Sequence, residues 1–549
     1  MSKTHLVVTM LALTSITSLG CTTTAKRWWN NNLKLGPNYQ TPSARHASSW
    51  LDANDDALIA DIPIQEQWWG VFQDPVLSEL VSAAYKQNLS VKAAFLRIEA
   101  AHLQRDIAVG SFFPQSQSVN ASYSRQQANN NFFDSWSTGG SLSWELDLWG
   151  RLRRNIAAAE ANVQANQADT NAIIVSLISE IATTYIQIRS FDERIQMAQR
   201  NVKIQQTSYG IAKKRNKILK TKIDERQALS NLEDTRALIP ELERQRRNSI
   251  NQLAVLLGTT PDKMLSWVTT SGSLPEVPRN LFVGVPCDLI RQRPDIKVAE
   301  RTLAIQAEQI GIAEADLYPQ LSVSGSISVQ ANSVSDLFTP ESTIGSIGPS
   351  FQWNILNYGR IANNVLLQDN LFQQALVQYQ ETALLAQQEV ENGIIDFLKF
   401  NEQLQHQQIS AEASAETVEL GQKRYKAGKE SFSSVFVYES DLVIKTDAVI
   451  QTKANIALAL IRTYTAFGGG WQIRVTEALG SEIYVPSPQG SYVSAGDESD
   501  AATIESANTS ADDQPPTDEA SERKNDFTAD ETSAAEDEVS RPALERAND

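Results

Sequence analysis

The sequence is poor in the residues that usually carry chemistry. Its 549 residues contain four histidines, His5, His46, His102 and His406, spread too far apart for a metal-binding spacing. The only cysteines are Cys21 and Cys287, so no disulfide framework staples the fold. There is no phosphate-binding Gly-rich loop, no Gly-x-Ser-x-Gly elbow and no Cys/His pairing, which leaves an enzyme without a sequence handle. Beyond the N-terminus no apolar run reaches the roughly 18 residues of a spanning helix, so any membrane crossing has to use strands. A positive field is missing as well: the formal charge is −17, which excludes phosphate-backbone binding as the main activity and with it nucleic-acid partners.

That charge is uneven. Residues 491–549 hold 17 Asp/Glu against 4 Lys/Arg, a net of −13, which leaves the other 490 residues at only −4. The stretch is rich in Ala, Ser, Asp and Glu and has few large apolar residues, so 481–549 reads as an acidic disordered tail. At the other end, Lys3, an apolar stretch and a small-residue ending at Gly20-Cys21 read as a signal peptide over 1–20. "SLGC" resembles a bacterial lipobox, with Ser18 where such boxes usually carry Leu. The resemblance implies a covalent lipid on Cys21, and Thr22 after it implies outer-membrane sorting. Residues 21–66 then form a lipidated N-terminal segment, and no other cofactor or metal is expected.

What is present falls into two patterns. Gly and Pro are absent from Arg151 to Tyr209, and Pro from Ser350 to Val485; Ala, Leu, Ile, Gln, Glu and Arg fill both stretches. Apolar residues recur at steps of three and four, as in Ile173, Leu177, Ile181, Tyr185 and Ile188, the stripe of a long packed helix. Elsewhere the period is two. "SVNASYS" (118–124), "SLSWELDL" (141–148), "QLSVSGSISVQ" (320–330) and "SFQWNI" (350–355) each oppose an apolar face to a Ser/Asn/Gln face, the pattern of a membrane strand with one lipid and one wet side.

Both patterns come twice. "SVKAAFLRIEAAHLQRDIAVGSFFPQ" (90–115) aligns without gaps to "DIKVAERTLAIQAEQIGIAEADLYPQ" (295–320), and "WELDLWGRL" (144–152) is echoed by "WNILNYGRI" (353–361). The echo marks a strand-to-helix corner at Gly150-Arg151 and at Gly359-Arg360, where glycine lets the backbone turn. From Arg151 to Arg215 and from Arg360 to Arg424 is 64 residues each, roughly 95 Å of unbroken helix. The basic runs "KKRNKILK" and "QKRYKAGK" are the expected turns into return helices closing at "LLG" (256–258) and "AFG" (466–468). Two matched hairpins would end on one plane, as a tube requires. Four strands cannot close a barrel, so the barrel has to be shared between subunits: eight strands would take two chains and twelve would take three.

At this point the chain resembles the TolC-like outer-membrane factors, in their lipoprotein (NodT-type) efflux branch. The motifs are "GPNYQTP" (36–42), "QWWGVFQDPVLSELVSAAYKQN" (67–88), "SWELDLWGRLRR" (143–154), "LAVLLGTTP" (253–261), "VPCDLIRQRPDI" (285–296), "FQWNILNYGRI" (351–361), "RYKAGKESF" (424–432) and "FGGGW" (467–471). The resemblance implies an α+β membrane protein. Its homotrimeric barrel, four strands per chain and twelve in total, would continue into a long α-helical barrel with an equatorial domain. Each chain would hold two repeats, 67–270 and 271–480. The implied function is a passive exit duct in the bacterial outer membrane, lipid-anchored and extending into the periplasm. Its implied partners are a periplasmic adaptor and an inner-membrane transporter of the RND type.

In lipoprotein members of that family a Leu, an Asp and an Arg constrict the periplasmic mouth; counted from Gly428, those positions here are Ser433, Val437 and Ser440. Glu439 and Asp441 are adjacent and offer a shifted acidic ring as a gate. At the tips, Lys217, Lys220, Lys426 and Gly428 are the candidate adaptor contacts, with Leu219 in register with Gly428. Asp288, Pro294 and Asp295 in "RQRPDI" and its approach suit a helix start rather than an active site. Strand alternation sends Glu145 and Asp147 to the polar, lumenal face and leaves Trp149 and Tyr358 near the lipid interface. A periplasmic coiled-coil scaffold lipoprotein is the other reading. It accounts for helices and lipid, but not for four alternating strands.

Overall fold

In the computed structural model the described residues are 26, 28–45, 47–60, 67–129, 131–220, 222–268, 272–284 and 292–472. The signal peptide, Cys21, Cys287, Asp288 and the acidic tail therefore lie outside the described residues.

The elements run β1 (Leu58–Ala60), α1 (Pro75–Gln87), α2 (Leu89–Gly110), β2 (Ser116–Ala128), β3 (Asn131–Leu146), α3 (Arg151–Leu219), α4 (Lys222–Leu256), α5 (Pro261–Trp267), β4 (Leu281–Val283), α6 (Pro294–Ala315), β5 (Gln320–Ala331), β6 (Thr343–Gln352), α7 (Arg360–Lys426) and α8 (Phe432–Ala466). The matched spacing in the sequence becomes matched length. α2 and α6 are 22 residues each, α3 and α7 are 69 and 67, and the return helices α4 and α8 are both 35. Gly258 and Gly468 adopt left-handed φ angles of 63° and 72° just beyond the returns, where the chain must leave the helix.

Strands β2, β3, β5 and β6 form one antiparallel sheet in that order. Register places Ser118 opposite Ser141, Ser122 opposite Ser137, Ser326 opposite Ser346 and Ser322 opposite Ser350, and each pair is joined hydroxyl to hydroxyl at 2.8–3.2 Å. The other face carries Val119, Leu142, Ile327, Ile347 and Phe351, all exposed in the single chain. The final strand differs from expectation. It spans 343–352, so Trp353 and Ile355 fall outside it, and Trp353 donates its indole N–H to the carbonyl of Leu317. Likewise β3 stops at Leu146, two residues before the expected end.

The main core lies where α1, α3, α7 and α8 meet the parallel pair β1–β4. Trp68 stacks on Tyr464, and Trp50 meets Phe467 edge to face. That pair joins residues 58–60 to 281–283, tying the N-terminal segment to the second half. α3 does contain one stretch long and apolar enough to span a membrane by composition, which the run-length reading missed. Of that stretch 56% is buried against the protein's own helices, as in a core helix.

Candidate functional site

Two regions combine unusual backbone with dense polar contacts: the strand-to-helix corners and the far ends of the hairpins. At the first corner Gly150 sits at φ 81°, and α3 begins at Arg151. A Cβ on Gly150 would stand 2.7–2.9 Å from Lys34, so the close approach as well as the φ angle demands glycine. Asp147 does not face a lumen. Its carboxylate, 4% exposed, accepts from the backbone N–H groups of Leu152 and Arg153 at 3.0 Å and from Arg153 Nε at 2.8 Å, capping the first turn of α3. Ending the strand at Leu146 is what frees it to do so. Glu145 is half-buried and takes a bidentate contact from Arg151.

The next two arginines hold the N-terminal segment as a strap. Arg153 donates to the carbonyls of Asn32 and Leu33. Arg154, with no exposed surface, donates to the carbonyls of Leu35, Gly36 and Pro37 at 2.6–3.1 Å and to the Glu308 carboxylate at 2.7 Å. Trp149 lies between the rings of Trp28 and Tyr318 at 5.3 and 4.8 Å and donates to the carbonyl of Pro319. Its ring thus packs on protein.

The second corner repeats the turn without the strap. Gly359 also sits at φ 81° and α7 begins at Arg360, but a Cβ on Gly359 would meet nothing nearer than Asn363 at 3.8 Å. Tyr358 is 97% exposed, in a left-handed conformation at φ 50°. The two corners meet at Asp316, just after α6. Burial pushes its carboxyl above the usual range, Arg151 and Arg360 pull it back, and Glu145 pushes it further up. Asp316, Gln320, Gln352, Asn354 and Arg360 line a cavity of about 150 Å³ there.

At the far ends, α3 turns into α4 through Lys220, at φ 58°, so the left-handed residue lies one place beyond Leu219. Gly428, at φ 74°, serves the second turn. Lys217, Lys220 and Lys426 are exposed on these turns. Just inside them the hairpins are cross-braced. Arg215 of α3 donates to the carbonyl of Tyr425 at 2.8 Å and lies over its ring, while the Tyr425 hydroxyl donates to Asp224 of α4 at 2.9 Å. Burial, then the Asp224 carboxylate accepting its proton, hold the Tyr425 phenol well above its ordinary range. Ala212, Ala228, Phe432 and Val435 close a small apolar cluster around that ring.

The two candidate gate carboxylates part ways. Asp441 is exposed and accepts from Ser414 at 2.9 Å. Glu439 is 2% exposed and held between helices by Ser208, Asn231 and Gln422, so it cannot be part of a ring facing a pore in this conformation. The alternation of exposed and buried positions along α8 turns the two residues to different sides. Of the three counted constriction positions, Ser433 and Val437 are exposed and Ser440 bonds Asn231. Sequence reasoning missed Arg153, Arg154, Asp224 and Tyr425. For Arg154 the signal was present: it stands at the head of the stripe Ala158, Ala161, Ala165 and Ala168, all buried.

Long paired hairpins joined through glycine corners to a four-stranded sheet with a hydroxyl face match the architecture of outer-membrane efflux channels. Residues 80–259 and 285–469 match the outer membrane efflux protein family, and the chain belongs to it. It is 29% identical over 443 residues to Nodulation protein T of Rhizobium leguminosarum bv. trifolii, covering 78% of this chain and 90% of that protein. Over 471 residues it is 26% identical to the toluene efflux pump outer membrane protein TtgC of Pseudomonas putida, covering 83% of this chain and 96% of the relative. The outer-membrane channel OprN superposes with a TM-score of 0.75 at 29% identity, covering 80% of this chain and 99% of that one. The Campylobacter jejuni CmeC channel, at 24% identity and TM-score 0.73 over 80% of this chain and 95% of its own, shares the fold. The chain is an outer-membrane efflux protein, and the scaffold reading is set aside.

Proposed function

We propose that three copies of this chain form a passive outer-membrane exit duct. Each would contribute four strands to a twelve-stranded barrel and two helical hairpins to a periplasmic tunnel. The observation that carries this is the open sheet: β2 and β6 are its outer strands, and unpaired edges in lipid are prohibitive, so another copy must supply their partners. The exposed apolar residues of α7, among them Leu366, Leu367, Leu371, Val377, Leu384 and Leu385, support a neighbour along the tunnel as well. Cysteines placed one on β2 and one on β6, for example Ser122→Cys with Ser346→Cys and its register neighbours, are expected to give covalent trimers on oxidation. A panel yielding only monomers would remove the shared barrel.

In this reading the halves 67–270 and 271–480 are two staves of the tube, a lipid on Cys21 anchors it, and substrates arrive from a periplasmic adaptor and an inner-membrane transporter of the RND type. Lys217, Lys220, Lys426 and Gly428 are the adaptor-facing turns. Charge reversal at Lys217 and Lys220 is expected to weaken adaptor crosslinking; unchanged crosslinking and unchanged drug resistance would sink that contact. The Arg215–Tyr425–Asp224 brace, which fastens one hairpin's end to the other's, is the part of the mouth that opening would have to disturb.

A further inference from the structure

The Glu439 carboxyl collects one partner from each of the other three long helices. Its Oε1 accepts from the Ser208 hydroxyl of α3 and from Gln422 Nε2 of α7 at 3.0 Å, and its Oε2 accepts from Asn231 Nδ2 of α4 at 3.0 Å. With Glu439 itself on α8, four helices of two hairpins are joined at one level, near the turns at Lys220 and Gly428. Gln422 also donates to Ser208 at 2.9 Å, which closes the ring. The contact contains no cation. The ionisable residues flanking this level include Tyr209, Lys213 and Arg215 on α3, Asp224 and Asp234 on α4, Glu419, Lys423 and Tyr425 on α7, and Tyr438, Asp441, Lys445 and Asp447 on α8 itself. None of these is hydrogen-bonded or ion-paired with Glu439 among the described residues. Arg215, Asp224 and Tyr425 satisfy one another, Lys423 pairs with Glu419, Asp447 pairs with Arg194, and Asp441 turns to Ser414. One turn along α3, the Gln205 amide is buried with no hydrogen-bond partner among the described residues.

A buried carboxylate with neutral donors and no counter-ion is held at a cost that the neutral acid avoids. The same ring can hold the acid, because the Ser208 hydroxyl accepts as readily as it donates. Water reaching this level would reward ionisation of Glu439 and hydration of the orphaned Gln205 amide together.

We propose that Glu439 is a proton-dependent clasp: protonated, it fastens both hairpins of one chain near their periplasmic ends, and on losing its proton to water it releases them. Burial raises the carboxyl from the ordinary 4.5, outweighing the three donors that lower it. The sign follows from that. The packed state binds the proton more tightly than the solvated one, so the clasp is firmest near and below the ordinary carboxylate range. It weakens as pH rises through the elevated value. The clasp itself stands on this geometry, and only its consequence, a mouth that opens more easily as the periplasm becomes less acidic, rests on the exit-duct reading.

Two measurements on the full-length protein separate the claims. Amide hydrogen-exchange protection of residues 435–443 should fall several-fold between pH 5 and pH 8 in the wild type and by less than about twofold in Glu439→Gln. Asp441→Asn, which alters the exposed neighbour, should track the wild type. Equal pH dependence in wild type and Glu439→Gln would overturn the clasp, whatever the protein does in membranes. In planar bilayers the wild-type open probability should rise with pH and that of Glu439→Gln should stay low and flat. If exchange behaves as expected but neither protein conducts at any pH, the clasp stands and the duct reading falls.

Discussion

The two corners share a leading Trp and an aromatic-Gly-Arg turn and yet live in different surroundings. At Gly150 the turn is capped by Asp147, wedged against Lys34 and covered by residues 28–37, which Arg153 and Arg154 hold by their carbonyls. At Gly359 the same φ of 81° is reached with Leu356 and Tyr358 in the open. Local conformation is set by the short motif, whereas the environment is set by whatever the rest of the chain lays over it. The first corner is completed within the chain; the second presents an apolar, unfinished surface.

Substitutions at matched positions can break that contrast. The largest effect is expected at Arg154, whose loss strands the Glu308 carboxylate and three strap carbonyls. Arg154→Ala should destabilise by about 3–5 kcal/mol, in the range of a broken buried ion pair. The exposed counterpart Asn363→Ala should stay within about 0.5 kcal/mol. Chemical unfolding in detergent, both variants side by side, tests the pair; similar losses would mean the strap contributes nothing. Next come the glycines. Gly150→Ala and Gly359→Ala each force alanine into left-handed backbone for about 1–2 kcal/mol. Only the first adds the overlap with Lys34, so it should unfold earlier. Asp147→Ala should cost about 1 kcal/mol as a lost helix cap, read in the same assay.

The smallest effect is a pH dependence at Glu314, which lies near Arg154 and beside Gly36 of the strap. Burial raises its carboxyl, against the pull of Arg154. Its contribution to stability is therefore greatest below the ordinary 4.5 and declines as pH rises through the raised value. Glu314→Gln should match the wild type in Tm at pH 4 and exceed it slightly at pH 7. A Tm difference independent of pH would assign the effect to packing instead.

Much of this was legible beforehand because it depends on period alone. Ser/apolar alternation gives a strand with two unlike faces, and the absence of Gly and Pro over 151–209 gives a helix; neither needs a partner to be known. The failures came where a partner decides. Asp147 reads as a polar strand position until the strand stops short and its carboxylate meets free N–H groups of α3. Glu439 reads as half of an acidic gate ring with Asp441; only the positions of Ser208, Asn231 and Gln422, 231, 208 and 17 residues away, show that it is enclosed. Arg154 shows half of its role: heading a stripe of small residues marks it as inward-facing, but the carbonyls it needs lie 117–119 residues earlier.

The strap has one more consequence. Asn32, Leu33, Leu35, Gly36 and Pro37 are all gripped through their carbonyl oxygens, the part of a residue that no mutation alters. Such a grip counts residues rather than reading them. Exchanges of the exposed side chains along the strap should pass almost unnoticed, unlike changes at Gly36 with its left-handed backbone or at the buried Leu35. A single inserted or deleted residue would shift every oxygen out of reach at once. The segment works as a ruler, fixing how the chain ahead of it is measured off against the first turn of α3.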